Sequence, residues 1–129
     1  MIQANELRIG NIIYLDGYEE ITEITTEGVK TNFTDSHFVD FDSIYPIPLT
    51  PEILEKCGFI KSDNSQDLYW YLNQDGFEIS IQECGDGYAL FNYDGYSGQH
   101  STIGTPFLYL HNLQNLFFAL NSKELTYTP

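Results

Sequence analysis

The first part of the chain has the pattern of short β-strands. Residues 11–15 are predicted to form a short buried strand that ends at Asp16-Gly17, a dipeptide suited to a tight hairpin turn, and residues 18–24 form the returning strand. Ile21 and Ile24 are out of phase for one regular strand, so we expect a bulge or a strand end between them. The pattern predicts a β-hairpin with one irregularity.

Two further short strands are predicted at residues 29–33 and 37–41, after a turn at Glu27-Gly28. Short strands that follow one another with turn residues between them form meanders, and such meanders can curl into small barrels. Residues 7–47 are therefore predicted to form a barrel-like meander.

A short helix is predicted next, where prolines interrupt the strand pattern. Thr50 can accept hydrogen bonds from free amides at a helix start, Pro51 suits the first helical position, and Glu52 complements the helix dipole. Gly58 can end the helix in a left-handed conformation. We expect two helical turns.

Three strands in close order follow the helix. They comprise residues 68–72, 77–82 and 88–93, with Asp75-Gly76 and Asp86-Gly87 at the turns. In the second of these strands apolar and polar residues alternate, which is typical of a sheet with one solvated face. The pattern predicts a second antiparallel meander.

The last part of the chain has helical spacing. Residues 107–110 either add a fourth strand or lead directly into a helix over residues 110–121. The apolar stripe of that helix is Leu110, Leu113, Leu116, Phe117 and Leu120. We expect the helix to pack on the second meander, which gives an α+β fold. The chain is predicted to form one domain, 1–129, with candidate sub-modules 1–48 and 49–129.

The composition is that of a folded domain. The chain has 129 residues, of which 42% are hydrophobic and 16% aromatic, too much apolar material for a disordered acidic tail. No signal peptide is recognised, and no apolar run approaches the roughly 18 residues needed to span a bilayer. Cys57 and Cys84 lie far apart without a CxxC spacing, which favours a reducing compartment. A cytoplasmic location is therefore expected.

The charge balance is the most unusual feature of the composition. The chain has 19 acidic and five basic residues, and its net charge is −14. Such a surface repels nucleic acid and anionic membranes and attracts basic surfaces. We therefore expect a basic protein partner, with no direct DNA binding and no membrane binding. The alternative is that the acidity only maintains solubility.

Two groups of carboxylates are candidate partner-binding residues. The first group lies in a window without lysine or arginine and comprises Asp75, Glu78, Glu83, Asp86 and Asp94. The second group lies on the first hairpin, again with no lysine or arginine nearby, and comprises Glu19, Glu20 and Glu23. If the strands pair as predicted, the first group forms one extended negative surface that can imitate the phosphates of a nucleic acid. The alternative is a merely solvated face.

Aromatic residues form the other candidate binding feature. Tyr69, Trp70 and Tyr71 are consecutive on a predicted strand, so both faces of the sheet carry an aromatic side chain there. Tyr93 and Tyr96 flank a glycine-containing loop. Because tyrosine and tryptophan are frequent anchors of protein interfaces, this edge is a candidate contact patch. The alternative is that a second layer covers these side chains.

We find no sequence pattern that predicts catalysis, a metal or a cofactor. His37, His100 and His111 lie far from one another, whereas zinc sites usually have paired ligands at close spacing. For His111 a structural hydrogen bond is expected. No calcium-binding loop, activated nucleophile or phosphate-binding loop is recognised, and among so many carboxylates no catalytic pair stands out. We predict a protein that is not an enzyme.

Three stretches of the chain resemble one family. They are residues 5–11 (NELRIGN), residues 47–50 (IPLT) with Gly58-Phe59, and residues 111–120 (HNLQNLFFAL). Together they are similar to a family of small uncharacterised proteins of Bacteroidetes genomes, phages and prophages, over nearly the whole chain. The resemblance implies a phage origin and a place in the cytoplasm of the infected or lysogenic host. No catalytic residue is carried over from it.

Phage association, small size and acidity together resemble the profile of anti-CRISPR and other anti-defence proteins. Such proteins commonly bind a nuclease or its guide-RNA complex. The resemblance therefore implies an inhibitor whose acidic face docks on the basic channel of a nucleic-acid-handling enzyme, such as an RNA-guided nuclease. The alternatives are a phage accessory or assembly protein that self-associates through the aromatic edge around Trp70, and a hydrolase with hidden carboxylates.

Overall fold

The computed structural model describes residues 2–34, 36–62, 69–93 and 100–128, and only the backbone of residues 91–93 and 100–105. The fold is α+β, as predicted. In chain order the elements are β1 (Ile12–Tyr14), β2 (Tyr18–Thr25), β3 (Gly28–Thr31), α1 (Pro51–Lys56), β4 (Ile60–Lys61), β5 (Tyr69–Gln74), β6 (Phe77–Cys84), β7 (Gly87–Tyr93), β8 (His100–Phe107) and α2 (Leu110–Asn121).

Two compact units divide the chain. The first unit consists of Met1–Pro48 and Tyr109–Leu125, and the second consists of Leu49–Leu108 and Thr126–Pro129. The region of α2 thus groups with the N-terminal part of the chain. That the whole chain forms one domain stays a prediction.

The sheet of the first unit has the strand order β1-β2-β3 and contains the predicted bulge. Ile21 pairs with Thr31, whereas Glu23 pairs with Lys30, so one extra residue is inserted in β2 between these pairs. The insertion restores the phase of the strand, because Ile21 is fully buried and Ile24 also packs against the apolar core.

The segment after β3 lies along both open edges of this sheet. In place of the strand predicted at residues 37–41, Val39 forms an isolated bridge with Val29, and Tyr45 forms another with Tyr14. Because one bridge is to β3 and the other to β1, the segment closes the sheet in a barrel-like manner. Gly28 allows this approach, since a Cβ atom there would lie 2.1 Å from the carbonyl oxygen of Val39.

Helix α2 begins and ends where its apolar spacing predicts, and within the first unit it packs against the three-stranded sheet. The side-chain oxygen of Gln114 accepts a hydrogen bond from the amide of Ile12 in β1, at 2.8 Å. The buried face also differs from the predicted stripe, because His111 and Gln114 are buried while Leu120 is 50% exposed.

Residues 5–11 and 111–120 meet in the first unit. The amide of Arg8 donates to Oδ1 of Asn11 at 2.7 Å, and Nδ2 of Asn11 donates to Oδ1 of Asn115 at 2.8 Å. Nε2 of Gln114 donates to the carbonyl of Gly10 at 3.2 Å. The polar residues of both stretches therefore have a structural role: they attach α2 to the loop before β1.

Helix α1 of the second unit has the predicted caps. Oγ1 of Thr50 accepts a hydrogen bond from the amide of Ile53 at 3.2 Å, and Pro51 occupies the first helical turn. Gly58 follows the helix with a φ of +94°, the conformation expected of a glycine at a helix end.

The sheet of the second unit has five antiparallel strands in the order β4-β5-β6-β7-β8, more than the three or four predicted. Strand β4 was not predicted, and β8 ends at Phe107, where the prediction placed the start of a strand. On β6, Ile79 and Ile81 are buried and the alternate residues are not, which confirms one solvated face. Within the described residues, no helix has the length and apolar character of a membrane span.

Candidate protein-binding surface

The carboxylates predicted to form one negative surface on the second meander lie in separate places. Asp75 is in the turn before β6 and Asp86 in the turn after it, so the length of the 8-residue strand, about 25 Å, separates them. Glu78 and Glu83 are an odd number of positions apart and therefore lie on opposite faces. All four are exposed, but the prediction of one continuous surface is wrong.

Three predicted contact residues fall at or beyond the limits of the described residues. Asp94 and Tyr96 lie outside them. Tyr93 ends β7, and its side chain also lies outside the described part of the chain. A contact role for these three residues stays a prediction.

Only part of the predicted aromatic edge faces solvent. Trp70 is 6% exposed and pairs with the buried Ile81, so it is a core residue and not an exposed anchor. Tyr69 and Tyr71 lie on the opposite face, half-buried, with ring centroids 6.1 Å apart. The alternative reading, that other residues cover the aromatic side chains, thus applies to Trp70.

The acidic residues of the first hairpin have three different environments. Glu20 is exposed. Glu23 is exposed but lies 3.6 Å from Nζ of Lys30, which the β2–β3 pairing brings beside it. The expectation that no basic residue is near this group is therefore wrong. Glu19 is only 5% exposed, whereas every other carboxylate in the described residues is exposed.

The first unit also has an exposed aromatic row that the sequence analysis did not identify. Tyr14 pairs with Tyr18 across the first hairpin, and it also forms the bridge with Tyr45. The three side chains are 45%, 42% and 58% exposed, respectively. The rings of Tyr14 and Tyr18 meet edge to face, with centroids 6.1 Å apart. We call Tyr14, Tyr18 and Tyr45 the tyrosine row.

Two of the three residues of this row could have been identified from the sequence. Tyr14 and Tyr18 stand symmetrically about Asp16, so a hairpin turning there places them directly opposite each other. No local sequence pattern indicated that Tyr45 belongs to the row. It joins the row because the segment closing the sheet returns to the edge of β1, which is a tertiary contact.

A cleft of about 480 Å³ opens beside the tyrosine row. The residues that line it are Asp16, Gly17, Tyr18, Glu19, Phe33 and Thr34. Phe33 is 71% exposed, the highest value among the large apolar side chains that the structure describes. Two aromatic and two acidic residues therefore line one cleft.

The carboxylate of Glu19 is held in a defined position within this cleft. The hydroxyl of Thr31 donates to Oε1 at 2.5 Å, and the amide of Asp16 lies 3.4 Å from Oε2. Thr31 is itself fully buried and also contacts Oγ1 of Thr34, at 3.1 Å. A hydrogen-bonded carboxylate of this kind is preorganised as an acceptor.

A second groove, of about 710 Å³, lies in the second unit between α1 and the β5–β6 hairpin. Cys57 is at its floor, and burial raises the pKa of this thiol to about 12. Since the thiolate is the nucleophilic form, Cys57 is unreactive at neutral pH. No cluster of three or more histidine, cysteine or acidic side chains suited to a metal ion occurs within the described residues.

His111 does not have the hydrogen bond expected for it. Its ring is fully buried, and neither nitrogen has a hydrogen-bond partner within the described structure. The nearest acidic group, the carboxylate of Glu6, is 3.8 Å from Nε2. Burial lowers the pKa of His111, and Glu6 acts in the opposite direction.

Comparison with protein-family models, with curated proteins and with solved structures found no match for this chain.

Proposed function

We propose that the protein is a binding module that docks on a basic surface of another protein through the tyrosine row of its first unit. The observation that carries this proposal is the contiguous exposure of Tyr14, Tyr18 and Tyr45, each more than 40% exposed. The exposed part of these three neighbouring rings is available to a partner. Tyrosine is among the residues most enriched in interface hot spots.

The negative charge of this protein indicates a partner with a basic surface. Glu20 lies two positions after Tyr18, and therefore on the same face of β2, and Asp16 lies in the adjoining turn. With a net charge of −14, the protein is attracted over long range only by basic surfaces. Electrostatic complementarity of this kind mainly raises the association rate, while the buried aromatic anchors supply affinity.

The class of partner is proposed from the resemblance to phage proteins. A phage protein that binds a basic surface without catalysis fits an inhibitor of a bacterial defence nuclease, which has a basic channel for nucleic acid. We therefore propose a nuclease or its guide-RNA complex as the target. The alternative is a phage accessory or assembly protein, for which the same tyrosines would mediate contacts with another copy or with virion components.

The test is a quantitative capture experiment with lysate of a Bacteroidetes host. We expect a basic nucleic-acid-handling protein to be retained at low salt and released at high salt. The double variant Tyr14→Ala/Tyr45→Ala should lose at least roughly 30-fold in affinity for that purified protein, since a single hot-spot tyrosine contributes about 2 kcal/mol or more. The purified nuclease should also be inhibited by the wild-type protein.

The matched control is Ile60→Ala/Leu108→Ala, which removes two exposed apolar side chains from the second unit. It should bind as wild type does. Loss of binding in Tyr69→Ala/Tyr71→Ala but not in Tyr14→Ala/Tyr45→Ala would assign the interface to the second unit and contradict the proposal. Recovery of only the protein itself or of virion components would favour the assembly function.

A further inference from the structure

Glu19 is a buried carboxylate without a cationic partner among the described residues. Its two hydrogen-bond donors, the hydroxyl of Thr31 and the amide of Asp16, are both neutral. The described ion pairs join Arg8 to Glu124, Lys30 to Glu23 and, if His111 is protonated, His111 to Glu6, and none of them includes Glu19. Acidic side chains are rarely buried unless they are paired, because desolvation penalises the charged form. The missing counter-ion is therefore the feature to explain.

A cationic ligand bound in the cleft around Glu19 would supply that counter-ion. Besides Glu19 the cleft is lined by Tyr18, Phe33 and Asp16. Aromatic faces attract cations through their quadrupole, and this attraction is stronger where water is excluded. The exposure of Phe33, at 71%, is unfavourable in the free protein, so the ring is available to cover a ligand.

We infer that this cleft receives the guanidinium group of an arginine, with Glu19 as its counter-ion and Phe33 as its aromatic wall. Arginine fits better than lysine because its planar, weakly hydrated cation both stacks on aromatic rings and donates paired hydrogen bonds to a carboxylate. A metal ion fits poorly, since no cluster of three or more histidine, cysteine or acidic side chains suited to a metal occurs within the described residues. That the arginine belongs to a protein partner rests on the proposed function, whereas the cation site itself rests on the cleft.

The site is tested by NMR titration of the full-length protein with N-acetyl-arginine amide. We expect saturable chemical-shift changes in the amides of residues 16–19 and 33–34, with an affinity on the order of millimolar for a single side chain. The uncharged citrulline analogue, which has nearly the same shape, should cause no saturable change. Equal binding of both compounds, or no shifts at the cleft, would overturn the inference.

Variants separate the roles of the two kinds of lining residue. Glu19→Gln should weaken arginine binding roughly tenfold, because a charged hydrogen bond becomes a neutral one. Glu27→Gln makes the same change of charge in an exposed turn outside the cleft and should bind as wild type does. Similar weakening by both variants would show a general charge effect and overturn the inference.

The variant Phe33→Ala tests the same site if the variant Glu19→Gln does not fold. Phe33 is largely exposed, so its removal should leave the fold intact while weakening arginine binding severalfold through loss of the aromatic wall. Unchanged binding in this variant would contradict the inference. Arginine binding without any captured protein would reject the proposed function alone, and a captured partner without arginine binding would reject this site alone.

Discussion

His111 and His37 are residues of one type that differ in burial. His37 is exposed, whereas the ring of His111 is fully buried and stacks on Tyr109 with centroids 5.8 Å apart. Protonated His111 would have Glu6 as its nearest acidic group, at 3.8 Å. Since burial is the larger influence on the pKa of His111, the neutral ring is the stable form in the folded protein.

The stability of the protein should therefore fall as the solution is acidified through the ordinary pKa of histidine. The unfolded chain takes up a proton near pH 6.5, while folded His111 takes it up only at lower pH, so acid favours the unfolded state in that interval. The slope contributed by His111 is at most about 1.4 kcal/mol per pH unit.

Urea unfolding between about pH 7.5 and about pH 5.5 measures this slope. The variant His111→Phe, which keeps an aromatic ring beside Tyr109, should lose it. The variant His37→Gln should retain it, because His37 is exposed. A slope in His111→Phe equal to that of the wild type would show that other groups cause the dependence.

Among the elements, α2 illustrates how polar side chains can determine where a helix packs. Its apolar spacing predicts a helix but not the surface on which that helix lies. The hydrogen bonds of Gln114 to Ile12 and Gly10 and that of Asn115 to Asn11 place it on the first sheet. Buried polar groups specify one arrangement because any other leaves them without partners.

The variant Gln114→Ala should lower the free energy of unfolding by about 1–3 kcal/mol, because it leaves the amide of Ile12 without its acceptor. The change is measured by urea unfolding. Leu120→Ala, on the same helix and 50% exposed, should cost less than about 0.5 kcal/mol. Equal losses in the two variants would mean that the cost reflects helix propensity and not the hydrogen bond.

For the molecule as a whole, the surplus of acidic residues sets both its interactions and the limits of its stability. The exposed carboxylates far outnumber the lysines and arginines that could pair with them. A net charge this far from zero keeps copies apart and accelerates encounter with basic partners, and it also destabilises the compact state by self-repulsion. The same property that favours binding thus opposes folding.

Sodium chloride should therefore stabilise the protein at neutral pH. Raising its concentration from about 20 mM to about 500 mM shortens the Debye length and should increase the free energy of unfolding by roughly 1 kcal/mol. The variant Asp75→Asn/Asp86→Asn removes two charges at turns, where asparagine is well tolerated, and should gain less from salt. No gain in the wild-type protein would exclude self-repulsion as a significant factor.

Much of the secondary structure could be predicted because its signals are local. The cap of α1 needs only Thr50 and Pro51, and the hairpin turn needs Asp16-Gly17. The bulge follows from the phase of Ile21 and Ile24. Strand β4 was missed because a two-residue strand has no periodicity of its own and forms only by pairing with β5.

The sequence by itself determined the α+β class, the bounds of both helices, the bulge and the excess of negative charge, since each depends on residues close together or on their sum. Only the tertiary structure decided that Trp70 is buried, that Lys30 neutralises Glu23, and that Tyr45 joins the tyrosine row. These outcomes depend on strand register and on which sheet edge a distant segment meets. Packing between segments that are remote in sequence sets both, and no local pattern encodes it.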